Sequence, residues 1–91
     1  MSDRLNNNGA RQRFERALEG GTAFASYRLG AGTVAILHTE VPLALRGSGV
    51  GSTFVREVLQ EIRRLGLKVE PQCSFVRAFM AKNPEFNDLL P

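Results

Sequence analysis

The chain has 91 residues, of which 43% are hydrophobic and 23% charged, and these values are ordinary for one globular domain and exclude a largely disordered protein. Its net charge of +3 favours an anionic ligand only weakly. The single cysteine cannot form an internal disulfide, which fits a reducing compartment. No apolar run reaches the roughly 20 residues that span a bilayer, and the N-terminus lacks the apolar core of a signal peptide. We therefore expect a cytoplasmic protein with no membrane partner.

The first 12 residues contain almost no apolar side chains. We therefore expect residues 1–12 to be a disordered tail and residues 13–91 to form a single domain. A domain of this size buries a modest fraction of its surface, which predicts a monomer or a weak homodimer.

Three short strands are predicted in the first half of the chain. Residues 13–18 alternate weakly between apolar and charged side chains, residues 22–29 alternate clearly, and residues 33–41 are rich in β-branched and apolar side chains. Glycine pairs separate the three segments at residues 20–21 and 30–32, as in tight hairpin turns. The pattern predicts an antiparallel three-strand meander.

Pro42 follows the third predicted strand. It has no N–H to donate, so strand pairing should stop or bulge at this point. Main-chain groups near Val41 and Leu43 would then be free to contact something other than a neighbouring strand.

The sequence RGSGVG at residues 46–51 leads directly into the longest amphipathic helix, from about residue 49 or 50 to residue 65. This arrangement predicts an anion site, for three reasons: the helix N-terminus has unpaired N–H groups, it is the positive end of the helix dipole, and glycine allows a ligand to approach the backbone closely. We interpret it as a pyrophosphate site. A Walker loop would need a lysine after Gly51. A dinucleotide fingerprint would place its third glycine at Ser52, and the chain is too short for a doubly wound sheet.

Residues 67–73 are predicted to return as a strand, so strand, helix and strand form a βαβ unit with parallel strands. Ser74 is the expected N-cap of a second helix over residues 75–82. Pro84 should end that helix and begin a short helical turn over residues 84–89. The predicted fold is therefore α+β, with a three-strand meander, a βαβ unit and a C-terminal helix around one mixed sheet.

Three side chains have the chemistry of catalytic groups. Cys73 stands at the carboxyl end of a parallel strand and before a helix, where the pKa of a thiol can be lowered. A catalytic role for Cys73 and a purely structural role as a small buried apolar residue are given equal weight. His38 and Glu40 lie two residues apart on a strand and so share a face, with Thr39 on the other. Either could act as a general base toward an ammonium group, and either could be a structural or surface residue.

The glycine turn also resembles the pyrophosphate motif [Arg/Gln]-x-x-Gly-x-[Gly/Ala] of the GCN5-related N-acetyltransferases. The resemblance extends to a small mini-acetyltransferase-like family through four motifs in order. These are HTEVP at residues 38–42, RGSGVG at 46–51, LKVEPQCSFV at 67–76 and NPE at 83–85.

This resemblance implies a GNAT-like fold that binds acetyl-CoA or coenzyme A and transfers the acetyl group to an amine of a small molecule or a protein. It implies a role for Cys73 as nucleophile or close to the acetyl group. Of the two possible bases, Glu40 is the stronger candidate because it lies nearer the expected coenzyme arm than His38. The residues that it assigns to the coenzyme are Val41, Leu43, Arg46, Gly47, Ser48, Gly49, Val50, Gly51, Ser52, Phe75, Asn83 and Pro84.

The helices that wall the acceptor site in longer relatives are missing from this chain, so a non-catalytic module that binds CoA or a nucleotide and regulates a partner is the alternative function. No metal site is predicted. A nucleic-acid partner is not expected, because no strand face is both basic and studded with aromatic side chains.

Overall fold

The computed structural model describes residues 5–91. Its elements in chain order are β1 (Asn6–Asn8), β2 (Arg13–Leu18), β3 (Gly21–Leu29), β4 (Thr33–Glu40), α1 (Val50–Arg64), β5 (Lys68–Pro71) and α2 (Ser74–Lys82), with short 3-10 segments at Leu43–Leu45 and Pro84–Leu89. The strands form one sheet in the order β1-β2-β3-β4-β5, antiparallel except for the parallel β4–β5 pair. The predicted α+β fold with its meander and βαβ unit is confirmed.

One hydrophobic core lies between the sheet and the helices. α1 contributes an apolar stripe whose members recur at helical spacing, and α2 and the Pro84–Leu89 segment close the same cluster. The fully buried side chains of this core include Phe14, Ile36, Phe54, Val55, Val58, Leu59, Ile62, Val69, Val76 and Phe86. The other face of the sheet carries exposed polar side chains such as His38 and Glu40.

The expected disordered tail is wrong for residues 6–8, which form the edge strand β1. Their backbone pairs with β2, and their side chains make specific contacts: Tyr27 Oη donates to Asn7 Oδ1 at 2.6 Å, and Asn8 Nδ2 donates to Glu15 at 3.3 Å. A strand held by a partner strand and polar contacts needs no apolar side chains of its own. The folded unit therefore begins before residue 13, and residues 1–4 lie outside the described residues.

Pairing of β4 stops at Glu40, just before Pro42, which is one of the two outcomes predicted there, and a bulge lies earlier in the strand, at Leu37. Ser26 pairs with His38, but the next residue of β3 pairs with Ile36, so Leu37 is an extra residue opposite no partner. Pro42 comes after the last β3–β4 pair and so has no ladder hydrogen bond to lose. A one-residue shift turns every later side chain of the strand to the opposite face.

The parallel strands separate just after this bulge. The last β4–β5 pair joins Ile36 to Pro71, and the carbonyl oxygen of Ile36 accepts the N–H of Gln72 at 3.1 Å and of Cys73 at 3.0 Å. β4 then continues without β5 beside it, and β5 gives way to α2. A cleft opens between the end of β4 and the start of α2.

Two smaller expectations are corrected by the local geometry. The strand predicted over residues 67–73 ends at Pro71, and the N-cap of α2 is Cys73 rather than Ser74, which is the first helical residue. A 3-10 turn at Leu43–Leu45 separates β4 from the glycine turn. Within residues 5–91, no helix combines the length and the apolar content that crossing a membrane requires.

Candidate functional site

An open groove of about 470 Å³ lies where β4 and β5 separate, beside the N-terminus of α1. Such a volume is within the range of about 300–1,000 Å³ that small-molecule sites occupy. The end of β4, the glycine turn, the first turn of α1 and the start of α2 all contribute to its walls. The lining residues are Thr39, Val41, Arg46, Gly47, Gly49, Gly51, Ser52 and Phe75. We call this the main groove.

Five backbone donors of the glycine turn and the first turn of α1 are unused, and four of them belong to residues that line the main groove. Gly47 and Gly49 have φ values of 85° and 86°, a left-handed conformation that L side chains rarely adopt. No acceptor within residues 5–91 pairs with the backbone N–H groups of Gly47, Gly49, Val50, Gly51 and Ser52. The first turn of α1 also holds no acidic residue, so the positive end of the helix dipole is left without a counter-charge from its own helix.

Space rather than backbone conformation favours glycine at position 51, because a side chain there would have to displace the Phe75 ring. A Cβ atom at this position would lie 3.0 Å from the tip of the Phe75 ring and 3.6 Å from a methyl of Val41. The missing side chain lets α1, α2 and the end of β4 approach one another around the groove. The Phe75 ring itself stays 41% exposed as part of the wall.

Arg46 closes the mouth of the main groove. Its Nε donates to the carbonyl oxygen of Val41 at 3.2 Å, and its guanidinium lies 3.9 Å from the Glu40 carboxylate. The carbonyl of Val41 is therefore already bonded, whereas its N–H has no acceptor within residues 5–91. A ligand in the groove would meet one free main-chain donor on β4 and one cation.

Cys73 does not itself line the main groove but contacts Thr39, which does, with 3.5 Å between Cys73 Sγ and Thr39 Oγ1. Burial raises the pKa of the thiol, but the Thr39 hydroxyl and the backbone N–H groups of Phe75 and Val76 stabilise the thiolate and bring the pKa below its usual value. Neither N–H makes a side-chain cap hydrogen bond of standard geometry with the sulfur. Their effect is the electrostatic attraction of a helix N-terminus for an anion.

We expect Thr39→Val to slow alkylation of Cys73 by iodoacetamide at neutral pH. The substitution removes the hydroxyl that stabilises the thiolate, so the thiol pKa rises and the reactive fraction falls. The rates of the two proteins should converge well above the usual thiol pKa, where both are ionised. Thr53→Val, the same change away from the cysteine, is the control, and equal rates for Thr39→Val and wild type across the pH range would contradict this assignment.

His38 and Glu40 do not line the main groove. Because of the bulge at Leu37 they lie on the face of the sheet away from the helices, where His38 Nε2 and Glu40 Oε1 are 2.9 Å apart and the His38 ring packs 6.0 Å from that of Phe24. The hydrogen bond with His38 lowers the Glu40 pKa despite slight desolvation, and the charges of His38 and Arg46 lower it further. Glu40 is a weaker base for that reason.

Thr39 was missing from the predicted site. The same alternation that puts His38 and Glu40 on one face puts Thr39 on the other, and that face is the one with the groove. Sequence reasoning could have identified Thr39 only by predicting the bulge at Leu37, and no local sequence pattern around Leu37 indicates that bulge.

Five of the predicted coenzyme residues do not line the main groove: Leu43, Ser48, Val50, Asn83 and Pro84. Leu43 is 77% exposed in its 3-10 turn. Ser48 and Val50 line a separate cavity of about 290 Å³ on the other side of the helix N-terminus. Pro84 begins the C-terminal 3-10 segment.

Asn83 lines a neighbouring groove between α1 and α2, with its amide already bonded on both sides. Its Nδ2 donates to the Phe79 carbonyl oxygen at 2.7 Å, and its Oδ1 accepts a hydrogen bond from Arg56 at 3.0 Å. The side chain ends α2 and ties it to α1, so its role within the protein is structural.

Comparison with known proteins agrees with this geometry. A family model described as GCN5-related N-acetyltransferase matches residues 13–89. The solution NMR structure of a GCN5-like protein from Staphylococcus aureus superposes with a TM-score of 0.69 at 23% identity, covering 100% of this chain and 91% of that one. No curated protein matches the chain. At this identity the structural similarity establishes the fold, and the family match covers most of the sequence, so the chain belongs to the GCN5-related N-acetyltransferase family.

Proposed function

We propose that this protein binds acetyl-CoA in the main groove and transfers the acetyl group to an amine acceptor. The observation that carries the proposal is a group of five backbone N–H donors with no acceptor within residues 5–91, four of them on residues that line the groove, at a helix N-terminus whose first turn has no acidic residue. A pyrophosphate supplies several anionic oxygens at the spacing of adjacent amides, which makes it the natural partner for such a site.

The walls of the groove suit the rest of the ligand. The N–H of Val41 is free to bond an amide of an extended pantetheine arm, and the apolar Phe75 ring and the bare Gly51 surface would flank that arm. When bound, acetyl-CoA supplies an activated thioester. Its acyl end would point toward Thr39 and the neighbouring Cys73.

Cys73 has two roles open to it. A thiolate beside the acyl group could accept the acetyl group and pass it on, or the amine could attack the thioester directly while Cys73 only shapes the site. The lowered thiol pKa and the partial burial of Cys73 are compatible with both roles. In either case the acceptor must approach the cleft between β4 and α2, and its identity as a small-molecule or protein amine is open.

Thermal denaturation with acetyl-CoA, CoA, AMP and an oligonucleotide tests the binding site. We expect acetyl-CoA and CoA to stabilise the protein by about 2.7 kcal/mol at 100 times the dissociation constant, and the oligonucleotide to have no effect. This corresponds to an increase of roughly 11–22 °C in Tm for a domain of this size. If neither CoA species raises the Tm, the proposal is wrong.

Intact-mass analysis after incubation with acetyl-CoA separates the two roles of Cys73. An acetyl group on wild type that is absent from Cys73→Ala, together with loss of transfer in that variant, would assign the thiol as the acceptor. Unchanged transfer by Cys73→Ala would remove it from catalysis.

A non-catalytic CoA-binding module is the second candidate. The observation that favours it is the position of His38 and Glu40, the two expected bases, on the face of the sheet away from the groove. Release of free CoA thiol that requires an added amine would establish turnover. Binding of CoA without release against a panel of small amines and peptides would favour the regulatory function.

A further inference from the structure

Within residues 5–91 the helices cover one face of the sheet, and we call the opposite face the outer face. One row of side chains crosses three strands on this face: Arg28 of β3 pairs with Ala35 of β4, and Ala35 pairs with Glu70 of β5. Ala35 alternates with Val34 and Ile36, which belong to the hydrophobic core, whereas Ala35 does not. The three residues of the row are among those that line an open depression of about 120 Å³. A cation and an anion therefore flank one small apolar residue.

The charges of this row differ from the other charges on and beside the outer face, which are paired within the chain. The internal pairs are Arg13–Glu15, His38–Glu40 and Glu40–Arg46. Arg28 and Glu70 are exposed, and neither forms a salt bridge with any residue from 5 to 91. Because β4 lies between them, their backbones are about 10 Å apart. Two complementary charges on one patch of surface are thus available to a partner.

We propose that two copies of this chain associate through their outer faces, with Arg28 of each copy paired to Glu70 of the other. A two-fold axis parallel to β4 and above Ala35 places β3 of one copy opposite β5 of the other, so both pairs form together. Ala35 then faces the same residue of the second copy, and its small side chain leaves room between the sheets. Sheets that pack face to face lie about 10 Å apart, a distance that an arginine and a glutamate reaching toward each other can span.

A second copy fits this surface better than a different partner because the row is self-complementary. A patch of one sign would select a partner of the opposite sign. A cation and an anion placed symmetrically about a small residue instead match the same row turned by 180°. The row crosses only three strands, so we expect a small interface and weak association.

The contact is separate from the main groove. The depression includes Thr33 at the start of β4, whereas the groove includes Thr39 near the end of that strand and Val41 just beyond it. The inference therefore does not rest on the proposed coenzyme site, and either can fail without the other.

Sedimentation velocity across a protein-concentration series, with charge-reversal variants, tests the contact. We expect wild type to dimerise as its concentration rises. Arg28→Glu and Glu70→Arg should each raise the dissociation constant of the dimer at least about tenfold, because each reversal places like charges together at both halves of the symmetric contact. The double variant exchanges the two charges and should return to within about threefold of wild type. Added salt should weaken the wild-type dimer, since exposed ion pairs are screened.

Arg11→Glu is the matched control, because it makes the same change in net charge as Arg28→Glu at an exposed residue of the turn between β1 and β2. It should leave the dissociation constant unchanged. Wild type that stays monomeric at every concentration would overturn the inference, and so would a dimer that is insensitive to salt or that responds to Arg28→Glu no more than to Arg11→Glu. Weakening by both single variants without recovery in the double variant would show that Arg28 and Glu70 do not pair, and would overturn it as well.

Discussion

Ser52→Glu is expected to weaken acetyl-CoA binding by about 100-fold while leaving the protein at least as stable as wild type. Ser52 lies exposed in the first turn of α1, with its backbone N–H unpaired and its side chain in the walls of the main groove and of the neighbouring groove between α1 and α2. A carboxylate at this position would repel the pyrophosphate and compete for the same amides. The same carboxylate complements the helix dipole, which is worth about 0.3–1 kcal/mol.

Calorimetric titration with acetyl-CoA and urea denaturation of the free protein measure the two effects separately. Ser52→Gln is the matched control because it has the same length without the charge, and we expect it to weaken binding by much less. If Ser52→Glu binds as tightly as Ser52→Gln, the anion does not sit at this helix N-terminus. A large loss of stability would show that the turn needs serine for a structural reason.

The features that the sequence predicts well are set by local patterns. The apolar stripe of α1 and the glycines at positions 47 and 49 fix the helix and the turn before it, because helical spacing and a positive φ each restrict the residues that fit. The meander follows from alternation and short glycine turns. These local signals are enough to predict the glycine turn and the helix N-terminus at which we propose the anion site.

The features that the sequence does not predict depend on partners distant in the chain. β1 is a strand because β2 lies beside it and Tyr27 reaches Asn7, although three consecutive asparagines have low strand propensity. The bulge at Leu37 reflects the register between β3 and β4. Neither the β1–β2 pairing nor the β3–β4 register can be recognised from the amino-acid composition of the strands involved.

The bulge also explains why the predicted bases and the groove fall on different faces. Val34 and Ile36 point into the core, so an unbroken alternation would put His38 and Glu40 on the helix side of the sheet. The extra residue reverses the alternation and brings Thr39 to that side instead. One unpaired residue therefore decides which side chains line the main groove.

Phe54→Ala is expected to reduce the free energy of unfolding by about 3–5 kcal/mol. The side chain is 1% exposed and belongs to the hydrophobic core, in the second turn of α1, just after the unpaired amides of the first turn. At about 0.05–0.15 kcal/mol per residue the whole domain has a stability on the order of 5–14 kcal/mol, so this single change removes a large part of it. Urea denaturation measures the effect.

Leu43→Ala is the control for this substitution. It also truncates a large apolar side chain, but Leu43 is exposed and lies outside the hydrophobic core, so we expect a change within about 0.5 kcal/mol. Similar losses of stability in the two variants would mean that Phe54 does not occupy the core position assigned to it.

Acetyl-CoA should restore part of the free energy of unfolding that Phe54→Ala loses. This experiment tests the hydrophobic core and the proposed coenzyme site in one variant. If the five amides keep their arrangement in the folded fraction, acetyl-CoA at 100 times its dissociation constant adds about 2.7 kcal/mol to the variant as it does to wild type. The double variant Ser52→Glu/Phe54→Ala should gain far less at the same concentration, because the added carboxylate excludes the pyrophosphate. Equal rescue of the single and double variants would show that the stabilising ligand binds elsewhere on the protein.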